Sequence, residues 1–225
     1  MGIINQKQTK DDKKTIHFTL VSSKDLLLIF TRNPELGKCK TRLAETVGDE
    51  TALDIYNFLL RHTVSITKNL NAAKQVWYSE EIWEDDIWDA AFYDKELQEG
   101  KNLGIRMANA FQEGFASGYE RIIVIGSDMF DLNQDDLQNA FDQLKKNDFV
   151  IGPAKDGGYY LLGMKTFKPE LFRDKAWGGE TVLEDTLKDL KDEKHAVLEE
   201  RNDVDVYEDI KDVKAFGHFL KHLEK

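Results

Sequence analysis

The chain predicts an α/β protein, a three-layer α/β/α sandwich around a mostly parallel central sheet. Three observations carry that expectation. Apolar runs of strand length, such as residues 26–30 and, after Arg121, residues 122–125, are continuous, the pattern of strands covered on both faces. Segments with apolar residues at helical spacing lie between such runs, and this alternation specifies a layered fold. A length of 225 residues with 41% hydrophobic content suits one domain with a substantial core.

Residues 1–14 are polar and charged, the composition of a disordered tail, and residues 15–225 read as a single domain. Ile16, Phe18 and Leu20 alternate with His17 and Thr19, which suits an edge strand ahead of the core. The run at 26–30 is the first core strand, and Asn33, Pro34 and Gly37 end it in a loop. Leu53, Tyr56, Leu60, Val64 and Thr67 predict a helix over residues 49–69, and a short strand follows at 75–78. The acidic stretch 80–100 carries Trp83, Trp88, Phe92 and Tyr93. It reads as a surface helix or loop anchored by its rings, or as a rim gripping an acceptor or a partner subunit. A helix starts near Leu103, with Met107, Ala110, Phe111, Gly114 and Phe115 on its apolar stripe. The strand at 121–125 is expected to be central. Strands at 149–152 and 159–162 flank a loop with Gly157 and Gly158, and Leu183, Leu187 and Leu190 mark a further helix. Residues 195–199 suit a last strand, and Val213, Phe216, Leu220 and Leu223 line a closing helix.

With 42 acidic against 31 basic residues the net charge is −11, which argues against a nucleic-acid or anionic-membrane partner. No apolar stretch reaches the roughly 20 residues of a membrane span, and no signal-peptide core is visible, so a cytoplasmic location is expected. The single cysteine, Cys39, excludes an intramolecular disulfide and reads as an incidental thiol, since no histidine lies near it in sequence. The oligomeric state stays open.

Against this acidic background, Arg32, Lys38, Lys40 and Arg42 gather in the loop after the first core strand. In an open α/β sheet that corner lies at the ligand-binding edge, and the start of the following helix favours negative charge. Phosphate is the expected ligand, although neither a Walker A loop nor G-x-G-x-x-G is present. Gly126-Ser127-Asp128 ends the central strand at the same edge, a position for a metal-binding carboxylate. Alternation in residues 202–206 would turn Asp203 and Asp205 to one side and Val204 to the other, which makes that run the best source of a second acid. Each aspartate could instead cap a helix, a role that Asp131 and Asp135 suit better.

Together, KCKTRLA, NLGIRM, VIGSDMFDL, GPAKDGGYYLLG, AWGGETV and DVDVYEDI resemble a glycosyltransferase family of the GT-A superfold, some of whose members are named for arsenosugar biosynthesis. The likeness covers residues 26–210 and extends in outline to GT-A nucleotidyltransferases. It implies that Phe30, Thr31 and Arg32 line base and ribose, that Lys38, Lys40 and Arg42 approach the phosphates, and that Leu103 and Gly104 border the nucleotide. It implies Asp128 and Asp205 as ligands of Mg2+ or Mn2+. It sets Asp156, as a possible catalytic base, with Gly157, Gly158, Tyr159 and Trp177 beside the acceptor. The chain departs from the family pattern at Met129-Phe130, at the loop of residues 176–179 and at Val206-Tyr207, which weakens Asp205 relative to Asp128 and leaves the acceptor open. The resulting expectation is a metal-dependent transferase moving a glycosyl group from a nucleotide-activated sugar to a small acceptor. The alternatives are a nucleotidyltransferase releasing pyrophosphate and a non-catalytic nucleotide-binding module.

Overall fold

Strand pairing divides the described residues, 3–6, 18–21 and 23–223 of a computed structural model, into two sheets. The smaller is an antiparallel ribbon of β1 (Ile3–Gln6) and β2 (Phe18–Val21). The expected edge strand therefore exists at β2, but it pairs with β1 and not with the main sheet. Within the expected tail, Ile3–Gln6 is extended and paired; the rest of that expectation, with Ile16 and His17, falls outside the described residues.

The larger sheet has seven strands in the order β5-β4-β3-β6-β8-β7-β9. They are β3 (Asp25–Thr31), β4 (Ala73–Tyr78), β5 (Asp94–Leu97), β6 (Arg121–Gly126), β7 (Phe149–Pro153), β8 (Tyr159–Met164) and β9 (His195–Val197). β8 pairs antiparallel with β6 and β7, and the remaining pairings are parallel. β6 is the middle strand of the seven, as its apolar run implies.

Alternation along the inner strands builds both faces at once. Leu27, Ile29, Ile123 and Ile125 enter one core with Tyr56 and Leu60 of α2 (Asp49–Thr67) and Leu137 and Phe141 of α4 (Gln134–Lys146); α1 (Thr41–Val47) and α3 (Leu103–Ala116) lie between them in sequence. Leu26, Leu28, Ile122 and Val124 enter the opposite core with Met107, Ala110 and Phe111 of α3 and with Leu171 and Phe172 of a 3-10 turn. A third cluster joins Leu43 of α1 and Ile55 and Leu59 of α2 to Val204, Ile210, Phe216 and Leu220 near the end of the described chain. It fixes the C-terminal segment beside the basic loop.

Local differences from the sequence reading have physical causes. The stretch 80–100 is loop followed by β5, whose parallel pairing to β4 uses backbone and hides behind charged side chains. Trp88 and Tyr93 are buried and anchor it. The helix cap near Asp131 and Asp135 is Asn133, in a reciprocal capping box with Asp136. In α5 (Val182–Asp189), Val182 and Thr186 take the buried face. The closing helix is broken into short turns around α6 (Gly217–Leu220), although Phe216 and Leu220 are buried as expected.

Phe216 is fully buried, with the rings of Phe58 and Phe130 edge-on at 5.5 and 4.9 Å. Phe216→Ala is expected to destabilise the protein by about 3–5 kcal/mol in urea unfolding, the usual cost of emptying an aromatic core site. A loss below 1 kcal/mol, itself about the scale of a surface change, would mean that the C-terminal segment is not docked as described.

Candidate active site

The chain moves outward from β3 through β4 to β5, then returns to β6 on the other side of β3, so a crevice opens at the carboxyl ends of β3 and β6. Hydroxyl groups tie those ends together. Tyr56 of α2 accepts from the Arg32 backbone N–H at 2.9 Å, while its hydroxyl lies 3.3 Å from Thr31 Oγ1 and 3.2 Å from Ser127 Oγ. Ser127 in turn donates to Thr31 at 3.1 Å. Sequence reading assigned Tyr56 to the apolar stripe and missed its polar tip.

The basic loop meets the acids here. Lys40 sits at the start of α1 with φ 50°, a left-handed conformation that costs a side-chain-bearing residue about 1–3 kcal/mol. Its Nζ lies 2.7 Å from Asp128 Oδ2 and 3.9 Å from Asp205 Oδ1, and its side chain is 7% exposed. Burial on its own would lower the Lys40 pKa; the charge of Asp128 and the hydrogen bond to it, followed by Asp205 and Asp203, outweigh burial and raise it. The group is held as an ammonium. Arg42 pairs with Asp205, and the exposed Lys38 pairs with Glu35 at 2.8 Å and Glu80 at 3.4 Å. Cys39 is buried and its thiol donates to the Glu35 carbonyl at 3.5 Å; burial, opposed by the charges of Lys40 and Arg32, pushes its pKa up, which disfavours the thiolate.

Two cavities meet at this point. The larger, about 790 Å³, is lined by Thr31, Arg32, Lys38, Lys40, Arg42 and Asp205, together with Gln98 and Arg106, which sequence reading did not select. Gln98 donates to the carbonyls of Thr31 at 3.2 Å and Trp77 at 2.8 Å, bridging two strand ends. The smaller, about 220 Å³, is lined by apolar and aromatic side chains with Asp128, Asp156 and Asp203. Phe30, Leu103, Gly126 and Asp128 border both. A Cβ added at Gly126 would lie 2.8 Å from Asp128 Oδ1, so a side chain there would displace that carboxylate.

Of the predicted acceptor residues, Asp156, Gly158, Tyr159 and Trp177 line the smaller cavity. Asp156 also accepts from the Gly158 N–H at 2.8 Å, so it shapes the turn it belongs to. Gly104 and Gly157 line neither cavity. Gly104 lets the Trp177 indole lie against α3, where a Cβ would approach Nε1 to 2.4 Å, and Gly157 lets the turn pass the Glu180 backbone.

Residues 202–206 form a loop, not the strand that alternation suggested. Val204 is buried as expected, but Asp205 lines the larger cavity and Asp203 the smaller. Burial, then the charges of Asp128 and Asp156, push the Asp203 pKa up to about 6, with Lys40 opposing.

Among the described residues, no group of three or more His, Cys, Asp or Glu side chains could by itself hold a metal ion. Asp128 and Asp205 supply hard oxygen donors at a common point, already marked by an ammonium. A pair of carboxylates completed by phosphate and water is the donor set that Mg2+ takes in phosphate-handling sites, so the residues fit such an ion.

The strand order, with one antiparallel strand among parallel ones and a crevice at the reversal, defines the GT-A-like fold of nucleotide-diphospho-sugar transferases and cytidylyltransferases. A candidate nucleotide-diphospho-sugar transferase from Desulfovibrio desulfuricans is 30% identical, with a TM-score of 0.79 over 89% of this chain and 95% of that one. A cytidylyltransferase from Leptospira borgpetersenii is 14% identical, with a TM-score of 0.55 over 89% of this chain and 94% of that one. A 4-diphosphocytidyl-2C-methyl-D-erythritol synthase from Anaerococcus prevotii is 10% identical, with a TM-score of 0.52 over 87% and 97%. Those two share the fold alone. Residues 62–179, just over half of the chain, match the family described as "Uncharacterized protein conserved in bacteria (DUF2064)", and the chain belongs to that family. No curated protein matches it in sequence.

The Asp203 pKa in the fold, about 6, lies above its ordinary 3.8, so the protonated form favours folding. That contribution is complete below the ordinary value and is lost as pH rises through the folded one. In chelator-treated protein, Asp203→Asn is therefore expected to be more stable than the parent at about pH 7.5, with the advantage shrinking towards about pH 4.5. Urea midpoints measured across that range test it, and a pH-independent difference would show that Asp203 is not crowded by burial and like charge.

Proposed function

We propose that the chain is a transferase using a nucleotide-activated donor, and that it moves a glycosyl group from a nucleoside-diphosphate sugar to a small acceptor. One observation carries this reading: a cation-lined cavity and an acid-lined cavity share a wall at Asp128, Phe30, Leu103 and Gly126. The 30% identical relative, a candidate nucleotide-diphospho-sugar transferase, supports the same class. A transferase of the arsenosugar-biosynthesis kind is the narrower form that the motifs suggest.

In this reading Phe30, Thr31 and Arg32, with Leu103, receive base and ribose, Gly104 acts only by seating Trp177 against α3, and Lys38, Lys40 and Arg42 neutralise the diphosphate. The donor sugar lies at the junction of the cavities, and the acceptor lies in the smaller one beside Gly158, Tyr159 and Trp177, with Gly157 shaping the turn behind them. An acceptor hydroxyl forms the new bond to the anomeric carbon as the bond to the diphosphate oxygen breaks. The electron pair leaves with the diphosphate, and the proton passes to Asp156. Negative charge grows on the leaving group, so cations fixed beforehand lower the barrier more than they strengthen ground-state binding. Asp128 and Asp205 would hold Mg2+ or Mn2+, which when bound supplies Lewis-acid stabilisation of the diphosphate.

The nucleotidyltransferase alternative places a phosphorylated second substrate in the smaller cavity. Asp128, Asp156 and Asp203, with no Lys or Arg lining the smaller cavity, disfavour such an anion there. Calorimetry with a nucleotide panel, followed by product analysis, tests the choice: free nucleoside diphosphate from a nucleotide sugar is expected, pyrophosphate from a triphosphate would favour the alternative, and binding without turnover would leave a nucleotide-binding module.

Because Lys40 occupies the carboxylates that would hold the ion, Lys40→Met is expected to act in opposite directions on two ligands. Removing one member of a buried ion group typically costs several kcal/mol, so a change of about tenfold or more is expected in each affinity. Nucleoside-diphosphate binding should weaken, while Mn2+ binding without nucleotide, read by its paramagnetic resonance signal, should strengthen. Parallel losses in both, with an intact fold, would remove the assignment of Asp128 and Asp205 as ion ligands.

A further inference from the structure

The proposed acceptor cavity has an uneven chemistry that narrows its ligand, on the reading that this cavity receives the second substrate. Its walls include Phe30, Tyr159, Tyr160 and Trp177, with apolar Met107 and Met129 beneath. Its charged lining is entirely carboxylate: Asp128, Asp156 and Asp203. The polar tips of the aromatic residues are already engaged. The Tyr159 hydroxyl donates to Met107 Sδ at 3.8 Å, and the Tyr160 hydroxyl donates to the Glu199 carbonyl at 3.2 Å. The Trp177 nitrogen is pressed towards Gly104. Lys40 satisfies Asp128, whereas among the described residues no cation pairs with Asp156 or Asp203.

A cavity of this kind offers acceptors and aromatic faces but few free donors. A polyhydroxylated sugar needs donors as well as acceptors, and a carboxylate or phosphate would meet the unpaired carboxylates of Asp156 and Asp203. A cation on an apolar body meets both features, because ring faces attract cations and carboxylates accept their N–H groups. We propose that the smaller cavity binds an acceptor bearing an ammonium or comparable organic cation on a small apolar frame, held between the aromatic walls and Asp203, which leaves Asp156 to the acceptor hydroxyl.

The test uses three probes of similar shape and different charge, benzylamine, benzyl alcohol and benzoate, titrated into the full chain without nucleotide and followed through the Trp177 indole NMR signal. Benzylammonium is expected to bind about tenfold tighter than benzyl alcohol, with benzoate weakest, given the strength of desolvated cation–ring and cation–carboxylate contacts. The variant Asp203→Asn should bring the ammonium most of the way down to the level of the alcohol while leaving the alcohol unchanged. Equal binding of all three probes, a preference for benzoate, or an ammonium preference undiminished in Asp203→Asn would overturn the proposal. Nucleotide calorimetry reads the other cavity, so failure here is distinguishable from failure of the transferase reading.

Discussion

The site depends on one buried ammonium. Lys40 leaves water almost completely and is compensated by Asp128 and Asp205, which come from the end of β6 and from the loop after β9. An ammonium so placed is stable only while its partners stay within reach, since an uncompensated buried charge costs several kcal/mol. Three segments distant in sequence are thereby required to meet. The apolar cluster of Leu43, Val204 and Phe216 makes that meeting possible, because it packs the helix after the basic loop against the segment that carries Asp205. The left-handed backbone at Lys40 is the local strain that this surrounding structure sustains.

The layers were legible because their signal is local and repeated. Residues Leu26, Leu27, Leu28 and Ile29 can all be buried only if both faces of the strand are covered, and that fixes a sandwich before any contact is known. The cationic loop was legible for a similar reason, as a local excess of charge against an acidic chain, and Asp128 was legible from its place at a strand end. The remaining features depend on tertiary context. β5 pairs through its backbone, so the charged side chains of Asp94, Lys95 and Glu96 conceal it. Tyr56 satisfies an apolar pattern with its ring and the site with its hydroxyl, and periodicity reads only the ring. Asp203 and Asp205 were correctly opposed to Val204, but a loop bends where a strand would not, and it sends the two carboxylates to different cavities. Helical spacing around Phe216 and Leu220 reported burial and not continuity, since successive short turns bury the same residues.

Asp128 stands where the sign of the local charge changes. On one side Arg32, Lys38, Lys40 and Arg42 face the larger cavity, and on the other Asp156 and Asp203 face the smaller. A molecule spanning the two would be drawn in with its anionic end among the cations, and a second anion would be turned away from the far side. That polarity follows from strand order, because the basic loop leaves β3 while Asp128 leaves its neighbour β6, and the Gly157 turn enters β8 on the other side of β6. The sheet thus arranges charge along its carboxyl edge in the order of its strands. For the proposed transfer this is the needed direction: a departing diphosphate would be stabilised among the cations, and no competing anion would be held where the incoming group must approach.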